Sequence, residues 1–192
     1  RAAASFGRDV VVSVERLPSA RLDDALGVVG AEPSFFCPVA SEGVEALGKA
    51  LDAAQKQLDE LNPGAARATL AGLDLQLTCL KAAPANEQLW RMHFLHALLS
   101  SIEGDEAAVD AALRRAVVAR PGEVFDPSYP PALGERYRAL QQEALAERHA
   151  TLMVESAPGW TIWIDGNRNT GDTQTLIPGR HLLQVRTSAG QR

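Results

Sequence analysis

The chain has 192 residues and is 46% hydrophobic, which is enough to bury a core and places it outside the disordered class. Its formal net charge of −5 argues against nucleic acid as the main partner. No stretch approaches the roughly 18 consecutive apolar residues that a membrane helix needs, so the sequence predicts no membrane span.

The first part of the chain predicts one strand, one helix and one linker. Residues 9–15 are rich in β-branched side chains and predict a strand, whereas residues 20–29 carry apolar residues at helical spacing. Residues 31–40 contain two prolines and predict a linker. A single strand needs a partner, and residues 41–149 have the pattern of helices. We therefore expect strand 9–15 to pair with the C-terminal β segment; strand addition to another chain is the alternative.

Apolar residues in alternating steps of three and four predict a first helical hairpin, which ends before Pro84. Ser41 is the candidate N-cap of its first helix. Asn62-Pro63-Gly64 separates the two helices, and proline suits the first turn of the second helix. The apolar positions of this hairpin are Val44, Leu47, Leu51, Ala54, Leu58, Leu61, Ala66, Leu70, Leu73, Leu77 and Leu80.

A second helical hairpin is predicted over residues 86–121. Its two periodic segments flank Gly104-Asp105, and Pro121 closes it. The apolar residues of its first helix cover most of the circumference, so we expect that helix to be buried between neighbours. They are Leu89, Trp90, Met92, Phe94, Leu95, Leu98 and Leu99. After an extended connector, a fifth helix is expected to end near His149.

After Ala150 the apolar period changes from helical spacing to alternation, which predicts a β segment. Strands are expected at residues 151–155, 160–165 and 181–187. A polar loop is expected at residues 166–172.

The hairpins resemble tetratricopeptide repeats, which are helix-turn-helix units that stack into a solenoid. In the second hairpin, Gly104-Asp105 stands at the inter-helix turn and Pro121 closes the unit. Ala97 and Ala116 fill two positions where the family has small residues. A generic helical bundle is the alternative.

This resemblance also implies a partner-contact face, because the first helices of such repeats line the concave side of the solenoid. The residues implied on the second hairpin are Arg91, Phe94, Leu98 and Ser101. A plain core role for Phe94 and Leu98 is the alternative.

The β segment is similar to a PEGA domain, a small β module of bacterial envelope proteins. The matching residues are Ser156-Ala157-Pro158-Gly159-Trp160, Ile162-Trp163-Ile164-Asp165-Gly166 and Pro178-Gly179-Arg180-His181. The segment stops before the last strand of that family, which would leave an edge for strand 9–15. Helical repeats followed by such a module resemble envelope proteins of myxobacteria and their relatives.

The predicted fold class is therefore α+β: an antiparallel helical-hairpin (TPR-like) array with a small C-terminal antiparallel β module (PEGA-like). Its predicted parts are an N-terminal strand–helix segment with a linker (1–36), a helical domain (37–149) and an incomplete β domain (150–192). The resemblance implies a non-catalytic scaffold for protein–protein interaction in a periplasmic or cell-envelope assembly, such as a secretion, surface or gliding-motility machine. Other envelope proteins or further copies of the chain would be its partners.

A second functional hypothesis is an envelope module that binds peptidoglycan or polysaccharide, with Trp160 and Trp163 stacking on sugar rings. Strand alternation places Trp160 and Ile162 on one face and Trp163 on the other, so one tryptophan is expected in the core. Exposure of both tryptophans on one face would favour this hypothesis.

The two cysteines, Cys37 and Cys79, are expected to form a disulfide in an exported protein. Cys37 lies in a loop flanked by prolines, where a covalent link is useful. Two unpaired thiols that act as small apolar residues are the alternative.

The sequence predicts no catalytic residues, no metal site and no cofactor, and hence no enzyme. Gly43 to Lys49 has the spacing of a phosphate loop, but no Ser or Thr follows Lys49. Residues 165–176 resemble a calcium loop but lack its sixth-position Gly and twelfth-position Glu. His93 and His96 are one helical turn apart without the carboxylate partners of a metal site, which indicates histidines with satisfied hydrogen bonds on a mostly buried helix.

Overall fold

The computed structural model describes residues 2–6, 10–15, 43–77, 80, 82–147, 149–156, 161–187 and 190–191. Within these residues the chain has five helices and eight strands, which confirms the α+β class. The predicted helix at 20–29, the linker, Ser41, Cys37, Cys79 and Trp160 lie outside the described residues.

The five helices form where the apolar periodicity predicted them. They are α1 (Val44–Asp59), α2 (Pro63–Leu77), α3 (Asn86–Glu103), α4 (Glu106–Ala119) and α5 (Pro131–Ala146). Pro63 and Pro131 begin α2 and α5, where proline's missing N–H would have no partner within the helix. Before α4, the carboxylate of Asp105 accepts a hydrogen bond from the Ala108 N–H at 3.0 Å. None of the described helices is long and apolar enough to cross a bilayer.

The helices pack around two neighbouring apolar cores, and α3 contributes to both. Helices α1 and α2 pack against each other and against α3, while α4 packs against α3 and α5. The first core contains Leu47, Leu51, Ala54, Leu58, Ala66, Leu70, Leu73, Leu80, Met92, Leu95 and Leu99. The second contains Phe94, Ala97, Val109, Ala112, Leu113, Ala116, Val117, Val118, Phe125, Leu133, Tyr137, Leu140 and Ile177. The predicted burial of α3 between neighbouring helices is confirmed.

The strands form two four-stranded sheets. The strands are β1 (Ala2–Phe6), β2 (Val10–Glu15), β3 (Ala150–Ser156), β4 (Thr161–Ile164), β5 (Asn167–Asn169), β6 (Thr173–Leu176), β7 (Leu183–Thr187) and β8 (Gly190–Gln191). One sheet has the order β1-β2-β3-β6, and the other has the order β5-β4-β7-β8.

The N-terminal strand pairs with the C-terminal β segment, as the sequence predicted. Strand β2 runs antiparallel to β3, with Val10 opposite Ser156, Val12 opposite Val154 and so on to the end of β2. Strand β1, which was not predicted, pairs antiparallel with the other side of β2. Both sides of β2 are therefore hydrogen bonded, and the edge of β3 that faces β2 is covered.

The predicted polar loop at residues 166–172 is wrong in part, because β5 occupies its first half. Strand β5 pairs with β4, with Trp163 opposite Arg168. Strand β6 was also missed; it pairs with β3. Both strands are short and mostly polar, so neither shows the alternation of apolar residues that marks a strand in sequence.

Candidate functional site

The middle of α3 is the centre of an aromatic cluster. The rings of Trp90 and Phe94, one helical turn apart, stack with centroids 5.1 Å apart and an interplanar angle of 6°. The indole N–H of Trp90 donates to the hydroxyl of Tyr137 on α5 at 3.1 Å. Since Tyr137 is completely buried, this hydrogen bond satisfies a polar group inside the second core.

The connector between α4 and α5, residues 120–130, completes this cluster. The side-chain amide of Gln141 donates to the carbonyls of Pro121 at 2.7 Å and Glu123 at 2.9 Å, which holds the start of the connector. Phe125 is buried, and its ring lies edge-on to that of Phe94 at 5.7 Å. The connector is thus a built part of the helical core.

The connector also reaches α1. The ring of Tyr129 lies 4.6 Å from that of Phe94, and its hydroxyl donates to the Gln55 side chain at 3.0 Å. Burial raises the pKa of the Tyr129 hydroxyl, and the nearby carboxylate of Asp126 adds to this, so the hydroxyl keeps its proton. Tyr129 therefore covers Phe94 and links the connector to α1.

The four predicted contact residues fall into different environments. Phe94 is only 1% exposed and lies in the core, which is the alternative that the sequence left open for it. Leu98 is half-buried between the two cores. Arg91 forms an ion pair with Asp52 of α1 at 2.7 Å, and Ser101 is exposed. Arg91 and Ser101 are thus the two of the four with polar groups near solvent.

Arg91, Asp52, Gln55 and Tyr129 together make a surface that spans α1, α3 and the connector, which we name the α1–α3 face. The resemblance to helical repeats indicated Arg91 but not Asp52, Gln55 or Tyr129. An available signal was the pair of aromatic residues, Phe125 and Tyr129, in an otherwise polar connector. Nothing in the helical period indicates where such a connector folds back.

In the β module, Asp165 and His181 form a buried pair. Asp165 follows β4 with a φ of 49°, and its carboxylate accepts from the Leu182 N–H at 2.7 Å. Its other oxygen lies 2.5 Å from Nδ1 of His181, whose Nε2 lies 2.9 Å from the carbonyl of Ile177. A carbonyl can only accept, so Nε2 carries a hydrogen and donates it.

The charge state of His181 follows from these partners. Burial by itself would lower the pKa of His181, but the hydrogen bond and charge of Asp165, helped by the Ile177 carbonyl, raise it above the ordinary value. His181 therefore keeps its second proton to a higher pH than a free histidine does, and in the imidazolium form it makes a charge-assisted hydrogen bond to Asp165.

Two glycines beside this pair allow the β module to pack closely against the helices. Gly166 has a φ of 78°, and a Cβ at this position would overlap the Pro84 carbonyl and come within 2.7 Å of the Asn86 nitrogen. A Cβ at Gly179 would overlap the side chain of Val118 on α4. The β module therefore touches the start of α3 and the end of α4 through positions that have no room for a side chain.

The remaining predicted site residues are separated or lie outside the described residues. Ile162 and Ile164 are buried, whereas Trp163 between them is half-buried, as strand alternation predicted. Trp160 is outside the described residues, so the two-tryptophan platform stays a hypothesis, and so does the Cys37–Cys79 disulfide. Among the described residues, no group of three or more His, Cys, Asp or Glu side chains is placed to hold a metal ion.

The two histidines of α3 lie on a different side of the helix from Phe94. Burial lowers the pKa of His93 to about 3, and the positive charge of Arg115 adds to this effect, so the ring is neutral at ordinary pH. His96 Nε2 lies 3.3 Å from a carboxylate oxygen of Asp74 on α2, without the geometry of a hydrogen bond. His93 is largely buried, as predicted, but the prediction that both histidines are satisfied is wrong for His96, whose buried Nε2 has no hydrogen-bond partner among the described residues.

No protein-family model matches this chain, and neither curated proteins nor solved structures give a significant match.

Proposed function

We propose that this protein is a non-catalytic scaffold for protein–protein contacts in a bacterial cell-envelope assembly. Its helices would act as a TPR-like array of hairpins, and its β module would act as a PEGA-like cap on that array. The proposal rests on the resemblances carried by the hairpin turns and by the Asp165-Gly166 and Pro178-Gly179-Arg180-His181 segments.

The observation that carries the proposal is the construction of the α1–α3 face. Arg91 forms an ion pair with Asp52, and Tyr129 donates a hydrogen bond to Gln55. These two non-covalent contacts hold α1, α3 and the connector in one surface. Tyrosine and arginine are enriched at protein interfaces, and a surface fixed in advance loses little entropy on binding. Phe94 supports this face from below, and Ser101 lies exposed near the end of α3.

A crosslinking experiment tests the scaffold proposal. A photo-reactive amino acid at Ser101 should give a discrete adduct with an envelope protein in native cells, and Arg91→Ala should weaken that adduct. The same photo-reactive residue at Gln142, which is exposed on α5, serves as the matched control. Equal labelling from both positions, or no adduct from Ser101, would count against the scaffold proposal.

Export of the protein is part of the same proposal, and the cysteines test it. An exported chain would carry a Cys37–Cys79 disulfide, which intact-mass measurement with and without reduction detects. Two free thiols in protein purified from the periplasm would contradict this part.

A second candidate function is binding to peptidoglycan or polysaccharide, and the partial exposure of Trp163 favours it. Trp163 lies opposite the exposed Arg168 on one side and Gln184 on the other, so an aromatic ring is flanked by polar groups. Sedimentation with peptidoglycan would separate the hypotheses, since Trp163→Ala should abolish such binding and leave the Ser101 adduct unchanged.

A further inference from the structure

Two exposed arginines near the junction between α4 and the β module lack the ion pair that most other described arginines form. Arg115 and Arg180, like Arg138 and Arg168, take part in none of the ion pairs found within the described part of the chain. The arginines that do pair with carboxylates there are Arg67, Arg91, Arg114, Arg120 and Arg136. A positive charge without a partner is a candidate for recognition by an acidic group.

The fold places the backbone before Arg180 against α4, the helix that carries Arg115. A Cβ at Gly179 would overlap Val118, so the backbone that leads into Arg180 lies against α4. Arg115 precedes Val118 by one helical turn, and residues three apart lie on the same side of a helix. We name this place the arginine seam, defined by Arg115 and Arg180.

His93 lies within electrostatic reach of both arginines of the seam. Arg115 and Arg180 each act to lower the pKa of its ring, in addition to the larger effect of burial. The ring of His93 is largely buried beneath this place, so it marks the position of the seam and does not contact a partner. Asp74 is the one acidic side chain that acts on His93 with the opposite sign, which leaves the seam with an excess of positive charge.

We propose that the arginine seam binds an acidic segment of the protein partner, with partner carboxylates held by Arg115 and Arg180 above His93. This inference rests on the proposed scaffold function and names the chemistry of its partner. Charge complementarity carries it, because guanidinium groups bind carboxylates through paired, charge-assisted hydrogen bonds. The seam lies on α4 and the β module, so it is a surface separate from the α1–α3 face.

Binding of a fluorescent hexaglutamate peptide to the full chain, followed by anisotropy, tests the seam. We expect saturable binding that weakens as salt is added, because exposed charges are screened. Arg115→Ala and Arg180→Ala should each weaken binding about 1.5-fold to fivefold, which is the range for one exposed ion pair. Both side chains are exposed, so melting temperatures should stay close to that of the unchanged protein.

Arg138→Ala is the matched control, since Arg138 is exposed on α5 and has no ion pair within the described part of the chain. Equal weakening by Arg138→Ala, or no saturable binding, would overturn the inference. Inorganic phosphate that competes as well as the peptide at equal charge would also overturn it, because the seam would then bind any small anion.

The scaffold function and the seam can fail separately. If the Ser101 crosslink forms while hexaglutamate does not bind, the seam is wrong and the scaffold stands. If hexaglutamate binds at the seam while no partner is crosslinked, the acidic-ligand site stands without the scaffold.

Discussion

A carboxylate oxygen of Asp165 lies 2.5 Å from Nδ1 of His181, and this contact joins the turn after β4 to the segment before β7. The same two segments carry Gly166 and Gly179, which seat the β module on α3 and α4. The charged pair therefore supports both the shape of the β module and its position on the helices.

Removing the negative charge of Asp165 should change how the free energy of unfolding depends on pH. The folded-state pKa of His181 is raised, so its contribution is fully present below the unfolded pKa of 6.5 and is lost as pH rises through the higher folded pKa. Asp165→Asn keeps an acceptor for the Leu182 N–H but removes the charge, and should cost about 1–3 kcal/mol at pH 6.

Urea melts of the two proteins from pH 6 to 9 measure this effect. The difference in the free energy of unfolding between Asp165→Asn and the unchanged protein should become smaller as pH rises. His149→Gln is the control, since His149 is exposed. A difference that stays constant over this pH range would show that His181 is not charged in the folded protein.

Whereas the contribution of His181 is lost as pH rises, His93 should make the folded protein less stable as pH falls. Its folded-state pKa is lowered to about 3, so its contribution is fully present above the unfolded pKa of 6.5 and is lost as pH falls towards 3. At pH 5 the unfolded state gains about 2 kcal/mol from protonation of this ring, while the folded state does not. His93→Gln should therefore flatten the acid limb of the stability curve, and a ring that titrates near pH 6 by NMR would contradict this.

Truncation of Phe94 should show that it is a core residue. Its ring touches those of Trp90, Phe125 and Tyr129, so Phe94→Ala should cost about 3–5 kcal/mol in denaturant melts. Leu145→Ala, at a half-exposed position on α5, should change stability by less than about 0.5 kcal/mol. A loss under about 1 kcal/mol for Phe94→Ala would instead support an exposed contact role.

Gly166 and Gly104 offer a matched pair of backbone tests. Their φ angles are 78° and 76°, but a Cβ at Gly104 meets nothing within 4 Å, whereas one at Gly166 overlaps the backbone before α3. Gly104→Ala should cost about 1–2 kcal/mol for left-handed strain alone. Gly166→Ala should cost about 1–3 kcal/mol more because of the overlap. Equal costs would mean that the β module does not rest on Pro84.

Removal of residues 1–15 should promote self-association. The deletion takes away β2 and leaves one edge of β3 with unpaired N–H and C=O groups, which favours pairing with another copy. Removal of residues 1–6 alone also opens an edge, that of β2, so the unchanged protein is the control. Light scattering after gel filtration distinguishes the two, and a monomeric protein of unchanged stability after the longer deletion would show that β2 does not belong to this sheet.

Periodicity predicted the helices because each is long and buries one stripe or more of apolar residues. The pairing of β2 was predictable for another reason: a β-rich stretch among helices has one region with strands to join. Strands β5 and β6 could not be predicted in this way. Their residues are mostly polar, and their partners β4 and β3 determine their conformation.

The candidate surfaces were less predictable than the fold. The sequence predicted that Phe94 and Arg91 would both lie on a contact surface. In the structure Phe125 and Tyr129 fold back onto Phe94 and bury it, whereas Arg91 keeps its charged group near solvent. Helical spacing holds no information about the path of the connector that carries those two rings. The β-module pattern did mark Asp165 and His181 individually, and their contact depends on two turns that meet only in the folded chain.

The pairing of β2 with β3 also has a consequence for the order of folding. The two strands lie at opposite ends of the sequence, so β2 leaves the ribosome long before its neighbour exists, while each helical hairpin is complete soon after its second helix is made. Contacts between distant segments form slowly, and the helices α1 to α5 can fold before the first sheet closes. Until Ala150–Ser156 has been made, the hairpin of β1 and β2 has one open edge, and this is the period in which the growing chain is most exposed to aggregation.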